Sequence, residues 1–470
     1  MSSAITNRLY ASGSNLDNML GVDKIHATVR SKDTTRPTLE QRKNLLDSKD
    51  DEDDNSESEE NLVEQDGLFL GDEDDLVSGF GLGSSVREFT ESEALPYISR
   101  FLESGDYIED IKLCYASTFL ITKFKRVFMI GNNFLKMGSS RSLIAPKEVT
   151  WSGCRNENKL MDISCGHFHV VILTENKEVL VGGNNNYGQL GQTMADSIFS
   201  QDNGYSSNSE DDNEPIVDIV KPHLQENTLQ TLRFFYTELK GDYVERVACG
   251  SFFTVFLTKL KKVYICGQIG FEDQKVFKTP VRIKFFDSMQ AVERIMCGSD
   301  YIIFLTREKQ VYGFSLLDPE TTQQQPSHMS EVEFFLSQHP GSTVECGLGY
   351  TFFLTPDRKL FCTGSNCEGE LGIDKTVENV EKIIRNTTID QEIGAKDAIC
   401  SVSCGSAVSA VVTLNGYVFL MGDNLEGQLG IGVTFTTSKK PIQPKGLPQF
   451  KGKVKVFVGY HNVFVLETPQ

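Results

Sequence analysis

Residues Cys165 to Gln192 read CGHFHVVILTENKEVLVGGNNNYGQLGQ. Two apolar runs, VVIL and VLVGG, flank a polar turn, TENKE. A Cys-Gly pair opens the unit and a glycine-rich GNNNYGQLG closes it. Such a stretch is either a single metal or phosphate site or one copy of a repeat. The rest of the chain decides for the repeat. CGSFFTVFLTKLKKVYICG begins at Cys249, CGSDYIIFLTREKQVYGFS at Cys297, and CGLGYTFFLTPDRKLFCTGSNCEGELG at Cys346. CGSAVSAVVTLNGYVFLMGDNLEGQLG follows at Cys404, and a worn copy, LCYASTFLITKFKRVFMIGNNFLKMG, starts at Leu113. A front half, VGYHNVFVLE, starts at Val458, and a matching back half, LYASGSNLDNMLG, spans Leu9 to Gly21. Joined, the halves make one more unit, about seven in all.

Length alone, at 470 residues, suggests about three domains. The repeat overrides that prior. Successive repeats start roughly 52, 84, 48, 49, 58 and 54 residues apart, the size of a four-stranded propeller blade. Within each unit, two short runs rich in Val, Ile, Leu and Phe are joined by about four polar residues, a hairpin signal. Their continuous apolar character suggests strands covered on both faces. One such unit cannot bury its faces alone, so the ring must close. The expected fold is all-β: a seven-bladed β-propeller closed by pairing N- and C-terminal strands, with acidic disordered inserts. Val458 to Leu466 should join the sheet that contains Arg8 to Gly13. The expected organisation is a first part of the propeller at 1–30, an acidic insert at 31–95, and the remaining blades at 96–470. A loop insert is expected at about 193–240.

The net charge of -19 is concentrated in two segments. Asp47 to Asp75 holds 15 acids and one lysine, and Asp202 to Asp218 holds six acids and no base. Without them the chain is close to neutral, so the acidity belongs to the inserts and not to the fold. Such polar, acidic stretches bury too little apolar area to offset their ordering entropy. Ser31 to about Leu95 reads as disordered, with a short helix at Leu39 to Leu46, and so does the SNSEDDNE core of the second insert. GLFLGDEDDLVSGF, starting at Gly67, is either a solvated loop or a short docking motif for a basic partner. Ser56, Ser207 and Ser209 precede acids and suit an acid-directed kinase. No basic patch or arm is evident, so direct nucleic-acid binding is not expected.

Most of the 11 cysteines sit in Cys-Gly openings or inside apolar runs, such as Cys266 and Cys362. Their spacing follows the repeat and not C-x-x-C. They read as reduced, buried thiols of an intracellular protein, without zinc or disulfides. The start, MSSAITNRLYASG, lacks the charged leader and apolar run of a secretory signal. No apolar run approaches the roughly 18 residues of a spanning helix. A monomer in cytoplasm or nucleus, away from membranes, is expected.

Gly183, Gly188 and Gly191 read as strand-ending and turn-building glycines. GNNNYGQLG is not followed by the GKS or GKT of a phosphate-binding loop, and SGFGLGSS (Ser78 to Ser85) does not follow a strand, so neither reads as a nucleotide site. His167 and His169 would face one way on a strand, but two ligands do not make a metal site. No nucleophile, acid–base pair or cofactor motif is evident. No metal, cofactor or catalytic residue is therefore expected.

The openings C-G-x-x-x and closings G-x-N-x-x-G-Q-L-G resemble the regulator of chromosome condensation repeat. The openings are Cys165-Gly166, Cys249-Gly250, Cys297-Gly298, Cys346-Gly347 and Cys404-Gly405. The best closings run Gly183 to Gly191, Gly364 to Gly372 and Gly422 to Gly430. Two closings are degenerate: GQIGFED at Gly267, and FSLLDPE at Phe314, where Ser315 replaces the glycine. His169 sits where the family often has histidine; Phe253, Tyr301, Tyr350 and Val408 fill that place elsewhere.

The resemblance implies a seven-bladed propeller that binds a protein, and guanine nucleotide exchange on a Ran-like GTPase as the family's best-known activity. It places such a surface on the loops after each opening glycine: His167, Phe168, Ser251, Phe252, Asp300, Leu348, Gly349, Ala407, Tyr460 and His461. This chain has His167 and Phe252 where the chromatin-bound exchanger should carry acids, and Leu348-Gly349 where it should carry histidine. Its third repeat closes with a regular GNNNYGQLG in place of that exchanger's irregular wedge. Its N-terminal region is acidic where the exchanger has a basic tail. These departures favour an interaction platform without bond chemistry over exchange on a small GTPase. Ultraviolet sensing, a third family role, needs clustered tryptophans, and only Trp151 exists.

Overall fold

A computed structural model describes residues 7–15, 19–20, 85–137, 142–192, 229–269, 275–287, 291–315, 326–373, 376–395, 397–434 and 436–469. Seven four-stranded antiparallel sheets form a β-propeller. The sheet built from the central stretch contains Leu160–Cys165, His169–Thr174, Val179–Gly183 and Gln230–Thr231, innermost strand first. We number it blade 3. Blade 2 starts with Ile108–Leu113, blade 4 with Val244–Cys249, blade 5 with Val292–Cys297, blade 6 with Thr343–Cys346 and blade 7 with Ile399–Cys404.

The closing blade is blade 1, and the split repeat builds it. Its order is Lys453–Val458, Asn462–Thr468, Arg8–Ser14 and Ser85–Glu91. Leu9 faces Leu466, Ala11 faces Phe464, and Gly13 faces Asn462 across the junction of the two chain ends. The C-terminal strand therefore lies between two partners in the middle of a sheet, with Val463, Phe464, Val465 and Leu466 all buried.

The cores lie between blades. Phe119, Ile121 and Met129 of blade 2 pack on Ile163, Val170 and Ile172 of blade 3. Similar apolar layers join blades 3 and 4, 4 and 5, 5 and 6, 6 and 7, and 7 and 1. Second strands such as HVVILT and STFLIT are buried at every position, because each sheet is covered on both faces. Short helical segments connect blades 3 and 4, 5 and 6, and 6 and 7, anchored by the buried Phe235, Phe335 and Ile389.

The polar turns repeat as faithfully as the strands. Thr122, Thr174, Thr258, Thr306, Thr355 and Thr413 each accept, through Oγ1, the backbone N–H four residues on, at 3.0–3.2 Å. Lys125, Lys177, Lys261, Lys309 and Arg358 hold the left-handed position of the same turn, with φ of 64° to 70°. The closing loops share an asparagine lock: Asn185, Asn366 and Asn424 accept the N–H of Leu190, Leu371 and Leu429 at 2.9–3.0 Å. Gly183 (φ 110°) ends its strand where a Cβ would run into the Phe168 carbonyl, which explains the required glycine. Gly188, Gly191, Gly364, Gly372, Gly422 and Gly430 also have positive φ.

Two boundaries differ from the sequence reading. Ser85–Glu91, placed in the acidic insert at 31–95, is the outer strand of the closing blade, and Ala94–Ser99 is a helix. Gln230–Thr231 and Phe234–Glu238, placed in the insert at 193–240, are the outer strand of blade 3 and the turn that follows it. The compact propeller unit comprises Met1–Gly21 and Gly83–Gln470, and Val22–Leu82 is a second unit. The expected helix at Leu39 to Leu46, the GLFLGDEDDLVSGF motif, the serines at 56, 207 and 209, and the disorder of both acidic stretches lie outside the described residues.

Candidate functional site

In every blade the opening loop joins the innermost strand to the second strand, so these loops gather at one end of the propeller axis. Cys165, Cys249, Cys297, Cys346 and Cys404 end innermost strands. The glycine that follows each of them allows neighbouring loops to touch. At Gly250 an added Cβ would meet the Phe253 ring and, at 2.7 Å, the Ser299 carbonyl of the next blade. Gly166, Gly298, Gly347 and Gly405 are hemmed in likewise.

Contact between the loops takes the form of a hydrogen-bonded relay. The Tyr115 N–H donates to His167 O (3.0 Å), His167 N–H to Ser251 O (3.1 Å), and Ser251 N–H to Ser299 O (2.9 Å). Further round, Leu348 N–H donates to Ser406 O (3.1 Å) and Ser406 N–H to Gly459 O (3.3 Å). Beneath it, residues at the family's histidine position tie blade to blade. His169 Nε2 lies 3.1 Å from Thr254 Oγ1, and the Tyr301 and Tyr350 hydroxyls each donate at 2.8 Å to a carbonyl of the next blade. Burial depresses His169 to about 4, partly offset by its backbone hydrogen bond at Phe253.

The mouth is lopsided. On the side of blades 1 to 4, Tyr115, His167, Phe168, Phe252, Tyr460 and His461 form one aromatic arc. His167 meets the Tyr460 ring edge-on at 4.2 Å and Phe252 at 4.7 Å, and Tyr115 lies within 5.4–5.8 Å of His167, Phe168, Tyr460 and His461. Tyr187, from the closing loop of blade 3, extends the arc over Phe252 at 4.8 Å and is 38% exposed. The Tyr460 hydroxyl crosses the axis to Ser251 Oγ (2.8 Å) and Ser299 Oγ (3.1 Å), on the opposite blades.

His167 is 9% exposed, and its Nε2 has no partner among the described residues. Burial, helped by His169 and His461, depresses its titration to about 3, so the ring is neutral at physiological pH. On the other side, Ser299, Asp300, Leu348, Gly349, Ser406 and Ala407 offer small or polar groups. Burial raises the Asp300 carboxyl to about 6. Leu348 N–H donates to Ser406 of the next loop, the Gly349 and Ala407 carbonyls accept from Ser365 and Asp423 of their own blades, and none of the three adds a ring to the arc.

The sequence reading thus named five members of the arc, His167, Phe168, Phe252, Tyr460 and His461, and missed three contributors to the mouth. Tyr115 was hidden because Cys114 replaces the opening glycine of the worn repeat; alignment on the later strands would have found it. Ser299 stands in register with His167 and Ser251. Tyr187 belongs to a closing loop, read only as structure. Among the described residues no group of three or more His, Cys, Asp or Glu could hold a metal. Among the described residues no helix is long and apolar enough to cross a membrane.

Family models of the regulator of chromosome condensation (RCC1) repeat match residues 162–189 and 415–466. A mouse protein named RCC1-like G exchanging factor-like protein is 26% identical over 227 residues, covering 44% of this chain and 42% of that protein. The mouse X-linked retinitis pigmentosa GTPase regulator is 26% identical over 375 residues, covering 77% of this chain and 33% of that protein. The chain therefore spans less than half the length of these relatives. Human WBSCR16 superposes with a TM-score of 0.62 at 17% identity, covering 99% of both chains. Prp20p from Saccharomyces cerevisiae, whose structure was described with its binding to Gsp1p and histones, superposes with a TM-score of 0.60 at 15% identity, covering 82% of this chain and 86% of that one. The structural likenesses bear on the fold alone. Seven units with these openings and closings, folded as seven blades and matched by the repeat's own models, make this chain a divergent member of the RCC1 repeat family.

Proposed function

We propose that this protein is a regulatory binding platform that docks a partner protein on the aromatic mouth of its propeller, in cytoplasm or nucleus, and does no bond chemistry. The observation that carries this reading is the arc of rings drawn from blades 1 to 4 and edged by the exposed Tyr187. Aromatic side chains on a rigid frame supply contact area at low entropic cost, and such residues dominate protein interfaces. Nothing in the arc is arranged as nucleophile and base.

A second reading is guanine nucleotide exchange on a small GTPase. It is favoured by the relative named for G exchange and by the Gsp1p binding of Prp20p. Exchange needs only a surface that binds the nucleotide-free GTPase better than the loaded one. The test is release of a fluorescent GDP analogue from a panel of Ran-like and other small GTPases, using the full chain and a Tyr187→Ala/Phe252→Ser variant. Acceleration by the full chain and its loss in the variant would establish exchange through this face. Tight binding of a partner without acceleration would leave the platform. Neither binding nor acceleration that depends on the arc would refute both.

A further inference from the structure

We propose that the Glu331 carboxylate guards the outer edge of blade 6, doing there what proline does on four other blades, and that without this guard the edge strand pairs with the same strand of a second copy of the chain. The mouth plays no part in this.

The last strand of each four-stranded sheet turns one row of backbone groups away from its neighbour, the row through which sheets add strands. Four blades remove a donor from that row at one equivalent position. It is the residue before the one that faces Met129, Ile265, Gly313 or Leu420 of the third strand: Pro146 in blade 2, Pro280 in blade 4, Pro326 in blade 5 and Pro441 in blade 7. A proline there has no N–H to give and blocks edge pairing. The outer strand of blade 3 is only Gln230–Thr231, too short to offer much of an edge. In blade 1 the position is Phe89, whose N–H donates to Lys445 O at 3.1 Å.

Blade 6 solves the problem with a side chain. Cys362 faces Ile384, so the equivalent residue is Ile383, and its N–H donates to Glu331 Oε1 at 2.7 Å. Asn386 N–H turns inward to Leu360 O at 2.8 Å, so the alternation along a strand turns Ile383 N–H outward. Glu331 does not belong to the blade. It lies in the helix Ser330–Gln338, which Val332 and Phe335 fix against the apolar layer that also holds Ile383. The contact is exposed to solvent. A proline blocks its edge permanently, whereas an exposed carboxylate can be displaced.

The strand itself suits pairing with its own copy. Asn379–Arg385 reads NVEKIIR, seven residues with no proline or glycine. An antiparallel copy centred on Ile383 sets Glu381 opposite Arg385 of the copy, twice by symmetry, and Lys382 opposite Ile384, which is 39% exposed. The present partner of Arg385 is Asp390 at 2.7 Å, an exposed ion pair of little worth that does not hold the guanidinium back.

The experiment measures self-association of the full chain by sedimentation velocity over micromolar concentrations. Glu331 is exposed, so its variants should keep the parent's melting curve. The parent should stay a monomer. Glu331→Ala should self-associate at least roughly tenfold more tightly, the factor carried by one charge-assisted hydrogen bond that pairing no longer has to break. Glu331→Gln keeps a carbonyl oxygen for the Ile383 N–H and should behave as the parent does. Adding Arg385→Glu to Glu331→Ala sets acid against acid and should reverse the gain, and adding Glu381→Arg as well should restore it. A Glu331→Ala variant that is as monomeric as the parent, association by Glu331→Gln equal to that of Glu331→Ala, or association indifferent to Arg385→Glu would overturn the inference. A parent that already pairs through this strand would overturn it too, since the edge would then be unguarded.

Discussion

Phe464→Ala probes whether the two chain ends hold the ring as one cooperative body. Phe464 is 1% exposed in a strand hydrogen-bonded on both sides, to Lys453–Val458 and to Arg8–Ser14. Truncating a buried phenylalanine costs about 3–5 kcal/mol through lost burial and the cavity left behind. The reporter is Trp151, the sole tryptophan. It lies between blades 2 and 3, with its Nε1 donating to Asn158 O at 2.7 Å, away from the closing blade. In a closed ring the damage should reach it, because each blade needs both neighbours. With urea slopes of about 3 kcal/mol per molar or somewhat more, the Trp151 midpoint should fall by on the order of 1 M, together with the far-ultraviolet signal. An open array would instead fray locally. If Phe464→Ala lowers the far-ultraviolet transition and leaves the Trp151 midpoint unmoved, the closure argument is wrong. Deleting the last dozen residues should act in the same direction and more strongly.

Three further outcomes follow from the mouth. His169 titrates near 4 in the fold, against an ordinary 6.5, so its contribution is intact above pH 6.5 and is lost as pH falls towards 4. His169→Phe, copying Phe253 of the next blade, should therefore lose less melting temperature between pH 7 and about pH 5 than the parent; an equal loss would assign the acid sensitivity elsewhere. Gly250→Ala should destabilise by about 2 kcal/mol or more, since its Cβ would lie 2.7 Å from the Ser299 carbonyl, and a denaturation curve matching the parent would contradict the packed relay. Tyr460→Phe removes hydrogen bonds to Ser251 and Ser299 and should cost about 1 kcal/mol in urea denaturation while leaving the fold intact; no measurable cost would mean that the cross-axis contacts are not held in solution.

The inner strands were legible because both their faces are buried and their apolar runs are unbroken, as in HVVILT. The outer strands were not. SVREFTE has Phe89 as its one buried side chain, and Gln230–Thr231 is only two residues long. An edge strand half in water carries little hydrophobic signal, so it merged with the polar inserts. The mouth was legible in part because it follows the opening glycines. Tyr187 escaped because its closing loop looks structural and reaches Phe252 only in three dimensions. The cross-axis bond of Tyr460 joins residues 209 and 161 positions apart, a proximity set by the number of blades and not by any local pattern.

The most direct test of the docking face is site-specific photocrosslinking in cells from two positions of comparable exposure. Tyr187, 38% exposed, lies at the mouth, and Tyr417, 47% exposed, lies on the hairpin turn of blade 7 at the opposite end. A photoreactive phenylalanine at Tyr187 should trap a discrete protein partner, and the adduct should disappear when Phe252→Ser is added. The same probe at Tyr417 should trap no such partner. A partner trapped from Tyr417 and not from Tyr187, or a Tyr187 adduct indifferent to Phe252→Ser, would contradict the assignment of the mouth as the binding face.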